Sequence, residues 1–189
     1  MTLIVMAGLP GTGKTTLAQA LIKTMSPNGD RAATAADQIP PVILNKDTVR
    51  AALFPSDLIE YSREQDDFCM DIMLRVARYL FQKNPDRTLI LDGRTFTHRD
   101  QVQTVEEAAG DMGVALYWIE CICDPETAKG RLLTDMGLHP AVNRNPDLYE
   151  KVAADAEPLT VARLTVDTTQ PLQTCVQDTL RYLSQPYRA

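Results

Sequence analysis

The chain opens on MTLIVMAGLPGTGKTT, and no other stretch restricts its fold as tightly. Thr2–Ala7 is an unbroken apolar run, short enough for a strand buried on both faces of a parallel sheet. Gly8-Leu9-Pro10-Gly11-Thr12-Gly13-Lys14-Thr15 then fits the pattern G-x-x-x-x-G-K-[ST]. A helical segment over Thr15–Met25 follows, with Leu17, Leu21 and Ile22 on one face. Strand, glycine loop and helix in this order form a cradle for phosphate. Glycines let successive backbone N–H groups turn inward, and the helix N-terminus adds partial positive charge. Gly8 to Thr15, with Thr16 extending the polar run, are therefore read as nucleotide-binding, although an ordinary first-turn threonine explains Thr16 equally well. Lys14 is placed to reach the β- and γ-phosphates, and the Thr15 hydroxyl to ligate Mg²⁺.

Beyond the loop, strand and helix patterns alternate. Ser26–Pro41 is a Pro-, Gly-, Ala- and Asp-rich loop, long enough to be functional. Val42–Asn45 reads as a strand, Asp47–Phe54 as a short helix, and Tyr61–Lys83 as a long helix on which Phe68, Ile72, Val76 and Leu80 recur. Thr88–Asp92 and Val114–Ile122 read as strands on either side of a helix over Arg99–Asp111. Asp124-Pro125-Glu126 supplies a capping Asp, a first-turn Pro and an acidic first turn to a helix ending near Asp135. After the irregular MGLHPAVNRNP come a helix over Leu148–Ala156, a strand over Leu164–Asp167 and a closing helix over Pro171–Leu183. Strands joined by crossover helices predict an α/β fold with a parallel sheet covered on both faces. No repeat or composition break divides residues 1–189, which are expected to form one domain.

The 189 residues carry a formal net charge of −6, which argues against a protein whose main partner is a nucleic-acid backbone. Four cysteines are too few and too scattered for a disulfide framework, and Cys121 and Cys123 have no second Cys/His pair nearby to make a zinc site. The N-terminus has no basic flank or cleavage site of a leader, and no apolar run is long enough to span a bilayer. A cytoplasmic location is expected.

Asn45-Lys46-Asp47 invites comparison with the Asn-Lys-x-Asp signature that reads guanine, but Asp47 follows the lysine directly and the motif lies too early in the chain. Asp92 is followed by Gly93-Arg94-Thr95, so a D-x-x-G switch is missing as well. The Asn-Lys pair is read as incidental. Phosphoryl transfer to a hydroxyl needs other parts: a base near the γ-phosphate, a strand-end acid for Mg²⁺, and arginines over the phosphates. Asp47 stands where a strand meets a helix on the carboxyl edge of the sheet; it is either that base or the helix cap. Arg50, one turn later, is either an acceptor contact or an exposed helix charge. Asp92 ends an apolar strand as a Mg²⁺-binding acid does, or as a turn Asp before glycine. Arg131 and Arg144 flank a Gly/Pro-containing stretch with the character of a lid over ATP, roughly residues 131–147. Arg94 and Arg99 are candidates to hold an anionic acceptor, while His98 and His139 read as loop or surface residues.

GLPGTGKTT, LNKDTVRAALF, ILDGRTF, CDPETAKGRLL and VDTTQPLQTCVQDTLRYL stand in the order seen in the small P-loop kinases. Over nearly its whole length the chain resembles the AAA-33/zeta-toxin-like group of kinases, relatives of adenylylsulfate kinases, gluconate kinases, chloramphenicol phosphotransferases and polynucleotide kinase domains. The resemblance implies a five-stranded parallel sheet of order 2-3-1-4-5, ATP and Mg²⁺ on Lys14 and Thr15, Asp47 as base, Arg50 at the acceptor and Arg131 near the adenine or phosphates. Where polynucleotide kinases have a basic lid stretch, this chain has Thr134-Asp135-Met136-Gly137. The expectation is an ATP- and Mg²⁺-dependent kinase acting on a hydroxyl of a small molecule. The alternatives are a 5′-hydroxyl polynucleotide kinase and an ATP-binding module without an acceptor. Acceptor contacts are expected from Asp47–Glu64 and Arg94–Arg99, and the oligomeric state is open.

Overall fold

The computed structural model describes residues 1–26, 39–134 and 146–185. Their elements run in the order β1 (Thr2–Ala7), α1 (Lys14–Met25), β2 (Val42–Asn45), α2 (Lys46–Leu53), α3 (Arg63–Lys83), β3 (Thr88–Asp92), α4 (Arg99–Met112), β4 (Ala115–Ile122), α5 (Pro125–Thr134), α6 (Pro146–Ala154), β5 (Arg163–Asp167) and α7 (Leu172–Leu183). The five strands form one all-parallel sheet of order β2-β3-β1-β4-β5, as the resemblance implies.

The central strand explains why an unbroken apolar run was needed at the start of the chain. Alternate residues of β1 point to opposite faces. Leu3, Val5 and Ala7 meet Met73, Ala77 and Phe81 of α3 and Val102 and Val105 of α4. Ile4 and Met6 meet Leu17 and Leu21 of α1 and Val176 of α7. Both faces are covered, so neither can be polar. At about 1.5–3 kcal/mol for each large apolar side chain fully buried, these two layers dominate the stability of the sheet.

Helix starts follow their caps. Asn45 accepts from the backbone N–H groups of Asp47 and Thr48, both at 3.0 Å, and opens α2. Ser62 accepts from Gln65 N–H at 3.2 Å and opens α3. Asp124 accepts from Thr127 N–H at 2.8 Å, with Pro125 in the first turn of α5. Pro146 opens α6 two residues before the expected start at Leu148.

The buried face of α3 differs from the one the spacing singled out. Phe68 and Val76 are exposed, while Cys69, Met73, Ala77 and Phe81 are buried. Leu74 is buried with them, so the core row lies one residue along, and Leu80 of the expected row packs against the same core. Residues 27–38 of the expected long loop and residues 135–145 of the expected lid, including His139 and Arg144, lie outside the described residues. Among the described residues no helix is long and apolar enough to cross a membrane.

Candidate active site

The phosphate loop leaves β1 at the carboxyl edge of the sheet and is pressed from two sides. Gly8 has φ +126, and a Cβ there would lie 2.2 Å from the carbonyl oxygen of Cys121. Gly11 has φ +78, and a Cβ there would lie 2.4 Å from the carbonyl oxygen of Ala128. Both the backbone conformation and the space therefore exclude a side chain. Thr12 Oγ1 donates to Leu9 O at 2.8 Å, closing the turn. Lys14 Nζ arches over the loop and donates to the carbonyls of Gly8 and Leu9 at 2.7 and 2.8 Å.

Asp92 sits beside the first turn of α1, almost fully buried. Its Oδ2 accepts from Thr15 Oγ1 and from Asn45 Nδ2, each at 2.7 Å. Its Oδ1 is buried and makes no hydrogen bond among the described residues. A buried carboxylate oxygen with spare acceptor capacity next to a threonine hydroxyl is a hard-oxygen donor set that suits Mg²⁺. Asn45 stands opposite Asp92 in the β2–β3 register, which is why its amide reaches across. The same side chain caps α2, so Asn45 couples the acid to the helix that carries Asp47. The Asn of Asn-Lys is therefore not incidental, and it, rather than Asp47, is the cap.

Freed from capping, the Asp47 carboxylate accepts from Arg50 Nη1 at 2.6 Å. Arg50 is only 2% exposed, not a surface helix charge. Its second Nη pairs with Asp66, and its guanidinium lies 4.9 Å from the ring centroid of Tyr61. Asp66 in turn accepts from Lys46 Nζ at 2.5 Å. Lys46 is buried, and burial pulls its ammonium down to about 7. Asp47 opposes that fall, the positive charges of Arg50 and Arg94 add to it, and the Asp66 contact works against it. Arg94 is also buried and pairs with Asp67. The Nε atoms of Arg50 and Arg94 make no hydrogen bond among the described residues.

A cavity of about 1270 Å³ joins these groups to the phosphate loop. Pro10, Gly11, Gly13, Lys14, Thr15 and Thr16 line its middle. Lys46, Asp47, Arg50, Asp66 and Arg94 line one end, and Arg131, Thr168, Gln170 and Leu172 the other. Arg131 leaves α5 and donates from Nη1 to Thr168 Oγ1 at 2.9 Å and from Nη2 to Thr168 O at 2.8 Å. The Thr168 hydroxyl donates to Thr12 O at 2.9 Å, so arginine, phosphate loop and the loop after β5 form one unit. The segment after α6 reaches the β3–α4 loop: Asp155 lies 3.4 Å from His98 Nε2, and Glu157 N–H donates to Thr97 O at 2.8 Å. His98 thus lines the cavity rather than the outer surface.

Of the residues singled out from sequence, the structure gathers Pro10, Gly11, Gly13, Lys14, Thr15, Thr16, Asp47, Arg50, Arg94 and Arg131 around this cavity, with Asp92 buried beneath Thr15. Arg99 does not join them. It is exposed at the start of α4, where its backbone N–H donates to Glu157 at 2.8 Å, and its side chain does not line the cavity. Asn45, Lys46, Tyr61, Asp66 and Thr168 were missed. Asn45 alone had a signal, an Asn directly ahead of a helix. The others acquire meaning only from what the fold sets opposite them.

The family described as AAA domain, AAA_33, matches residues 3–134. No curated protein sequence matches the chain. Among solved structures, APS kinase CysC of Mycobacterium tuberculosis in complex with AMPPNP and APS superposes with a TM-score of 0.70 at 13% identity, covering 97% of this chain and 98% of that one. Chaetomium thermophilum Kti12 in complex with ADP-AlF3 superposes with a TM-score of 0.65 at 15% identity, covering 99% of this chain and all of that one. At such identities the likeness is one of fold: a P-loop kinase-like architecture.

Proposed function

Because the chain belongs to the AAA_33 family of AAA domains, we propose that it is an ATP- and Mg²⁺-dependent kinase that moves the γ-phosphoryl group to a hydroxyl of a small molecule. The observation that supports this reading is that Asp47, on the helix whose cap Asn45 is tied to the Thr15–Asp92 pair, lines the same cavity as the phosphate loop.

In this reading ATP lies with its phosphates in the loop Gly8–Thr15 and its base end toward Arg131 and Thr168. Thr15 and Asp92 would hold Mg²⁺, which would neutralise charge on the phosphate oxygens. The acceptor enters beside Lys46, Arg50 and Arg94. Asp47 takes the proton from its hydroxyl as that oxygen bonds to the γ-phosphorus, and the bond from the γ-phosphorus to the bridging oxygen breaks in line, leaving ADP. Lys14 and Arg131 donate to the phosphate oxygens as charge builds on the leaving side. Arg50 fixes the direction of the Asp47 carboxylate through the contact at 2.6 Å. M. tuberculosis APS kinase, whose structure holds AMPPNP and APS, offers a precedent for a nucleotide and a small acceptor sharing such a fold.

The test is a panel of hydroxyl-bearing metabolites incubated with ATP and Mg²⁺, with phosphorylated products followed by mass spectrometry. Asp47→Asn is expected to lower kcat by about 10²–10⁴, the usual contribution of a positioned base, while ATP affinity stays unchanged. Full activity in that variant would remove Asp47 from the reaction. ATP binding by the parent with no product across the panel would favour the module without an acceptor.

A further inference from the structure

The phosphate loop is gripped by a residue 156 positions further along the chain. Thr168 follows β5, and its side chain stands against the turn at Gly13, where a Cβ would lie 3.5 Å from Thr168 Oγ1. That hydroxyl accepts from Arg131 Nη1 at 2.9 Å and has one proton to give. Two carbonyls are within reach, Thr12 O at 2.9 Å and Ile122 O at 3.2 Å. Ile122 O already accepts the Thr168 N–H at 2.9 Å, so the proton goes to Thr12 O. A hydroxyl that accepts from a guanidinium is polarised into a stronger donor.

This bond fixes a peptide plane. The Thr12–Gly13 peptide is trans, so its C=O and its N–H point in opposite directions. With the carbonyl held by Thr168, the Gly13 N–H is turned away from Thr168. The other polar groups of Thr12 are committed elsewhere: its N–H and its Oγ1 both donate to Leu9 O, at 3.4 and 2.8 Å. The Gly13 N–H has no acceptor among the described residues. Gly13 has φ +81, and without a Cβ its flanking peptide turns at little cost, so the outside contact decides which way that peptide faces.

We propose that Thr168 is a positioning residue for phosphate binding. Through Thr12 O it aims the Gly13 N–H into the loop as an anion donor, and through Arg131 it fixes a guanidinium at the nucleotide end. The inference rests on the reading that the phosphates of ATP lie in Gly8–Thr15. One hydroxyl then sets two phosphate donors, one neutral and one charged, from a place outside residues 3–134.

The probe is the β,γ-imido analogue of ATP with Mg²⁺, titrated calorimetrically and followed at the Gly13 amide NMR peak of the isotope-labelled chain. No acceptor takes part, so the outcome does not depend on whether phosphoryl transfer occurs. In the parent, saturation is expected to move the Gly13 peak downfield, as bonding to an anionic oxygen does. Thr168→Val keeps the shape and the backbone contact with Arg131 but has no hydroxyl. Its affinity should fall about tenfold, the loss of one charge-assisted hydrogen bond, and its Gly13 shift should shrink. Thr168→Ser should restore both. In an Arg131→Ala background, Thr168→Val should still weaken binding several-fold, because the contact with Thr12 O remains to be lost. A valine variant that binds as tightly as the parent overturns the proposal, as does a serine variant as weak as the valine one. No further loss in the Arg131→Ala background overturns the role in the loop and leaves Thr168 as a dock for Arg131. If the valine variant does not fold, the parent peak and the serine variant decide. A parent that binds the analogue with an unmoved Gly13 peak overturns the role of Thr168 alone, whereas a parent that does not bind it overturns the nucleotide reading as well.

Discussion

Lys46 is the residue at which burial and charge conflict most directly. In the folded chain its ammonium is held at about 7, against an ordinary value of 10.5, chiefly because it is buried. Between those values the unfolded chain binds more protons than the folded one, so stability rises with pH across that window. The cost of keeping the charge buried is therefore present in full below about pH 7 and fades as pH climbs toward 10.5. Lys46→Met removes the titrating group and leaves Asp66 paired with Arg50. Urea unfolding should show the variant gaining most over the parent near pH 6. The gap should narrow above pH 7 by up to about 1.4 kcal/mol per pH unit. A gap that does not change between pH 6 and pH 9.5 would mean that Lys46 titrates alike in both states. Lys46 was read as a bystander because sequence shows only its neighbours. Its environment comes from Asp66, twenty positions on, which α3 brings into contact.

Elements were legible where one local signal decided them and illegible where two surfaces had to agree. β1, β2 and β3 fall where expected because each is a short apolar run ending in a loop or cap residue at the sheet edge. Strand order was readable only through resemblance, since no pattern within a strand states its neighbour. α3 shows the limit from the other side: it is helical as expected, but Phe68 and Val76 of the expected row face outward while Cys69, Met73 and Ala77 are buried. Hydrophobicity ranks side chains, whereas contact with a sheet also selects for size and pliability. The two rows can be told apart by mutation. Met73→Ala should cost about 2–5 kcal/mol, the range for a buried methionine in a packed core. Val76→Ala should stay within about 0.5 kcal/mol. Chemical denaturation of the pair checks this, and equal losses at the two positions would restore the spacing-based face.

At the scale of the whole molecule, strand order divides the cavity between two stretches of chain. β1 is central, so the phosphate loop stands at the midpoint of the sheet edge. The β2–β3 side delivers Lys46, Asp47, Arg50 and Arg94; the β4–β5 side delivers Arg131 and Thr168. The AAA domain match ends at residue 134, so the loop after β5, to which Arg131 is tied, lies beyond the shared part of the family. This division predicts a separable kinetic signature. Arg131→Ala releases Thr168 and removes a donor on the nucleotide side, so KM for ATP should rise about tenfold, equivalent to about 1.4 kcal/mol, with KM for the acceptor little changed. Arg94→Ala acts on the opposite wall and should raise KM for the acceptor by a similar factor while leaving KM for ATP near the parent value. Removing the buried Arg94 side chain also costs packing, so melting temperature must be followed alongside the kinetics. Steady-state kinetics with each substrate varied in turn separates the two. If both variants raise both constants together, the two ends of the cavity close as one unit, and the contact of the segment after α6 with the β3–α4 loop through Glu157 and Thr97 is the connection through which they do so.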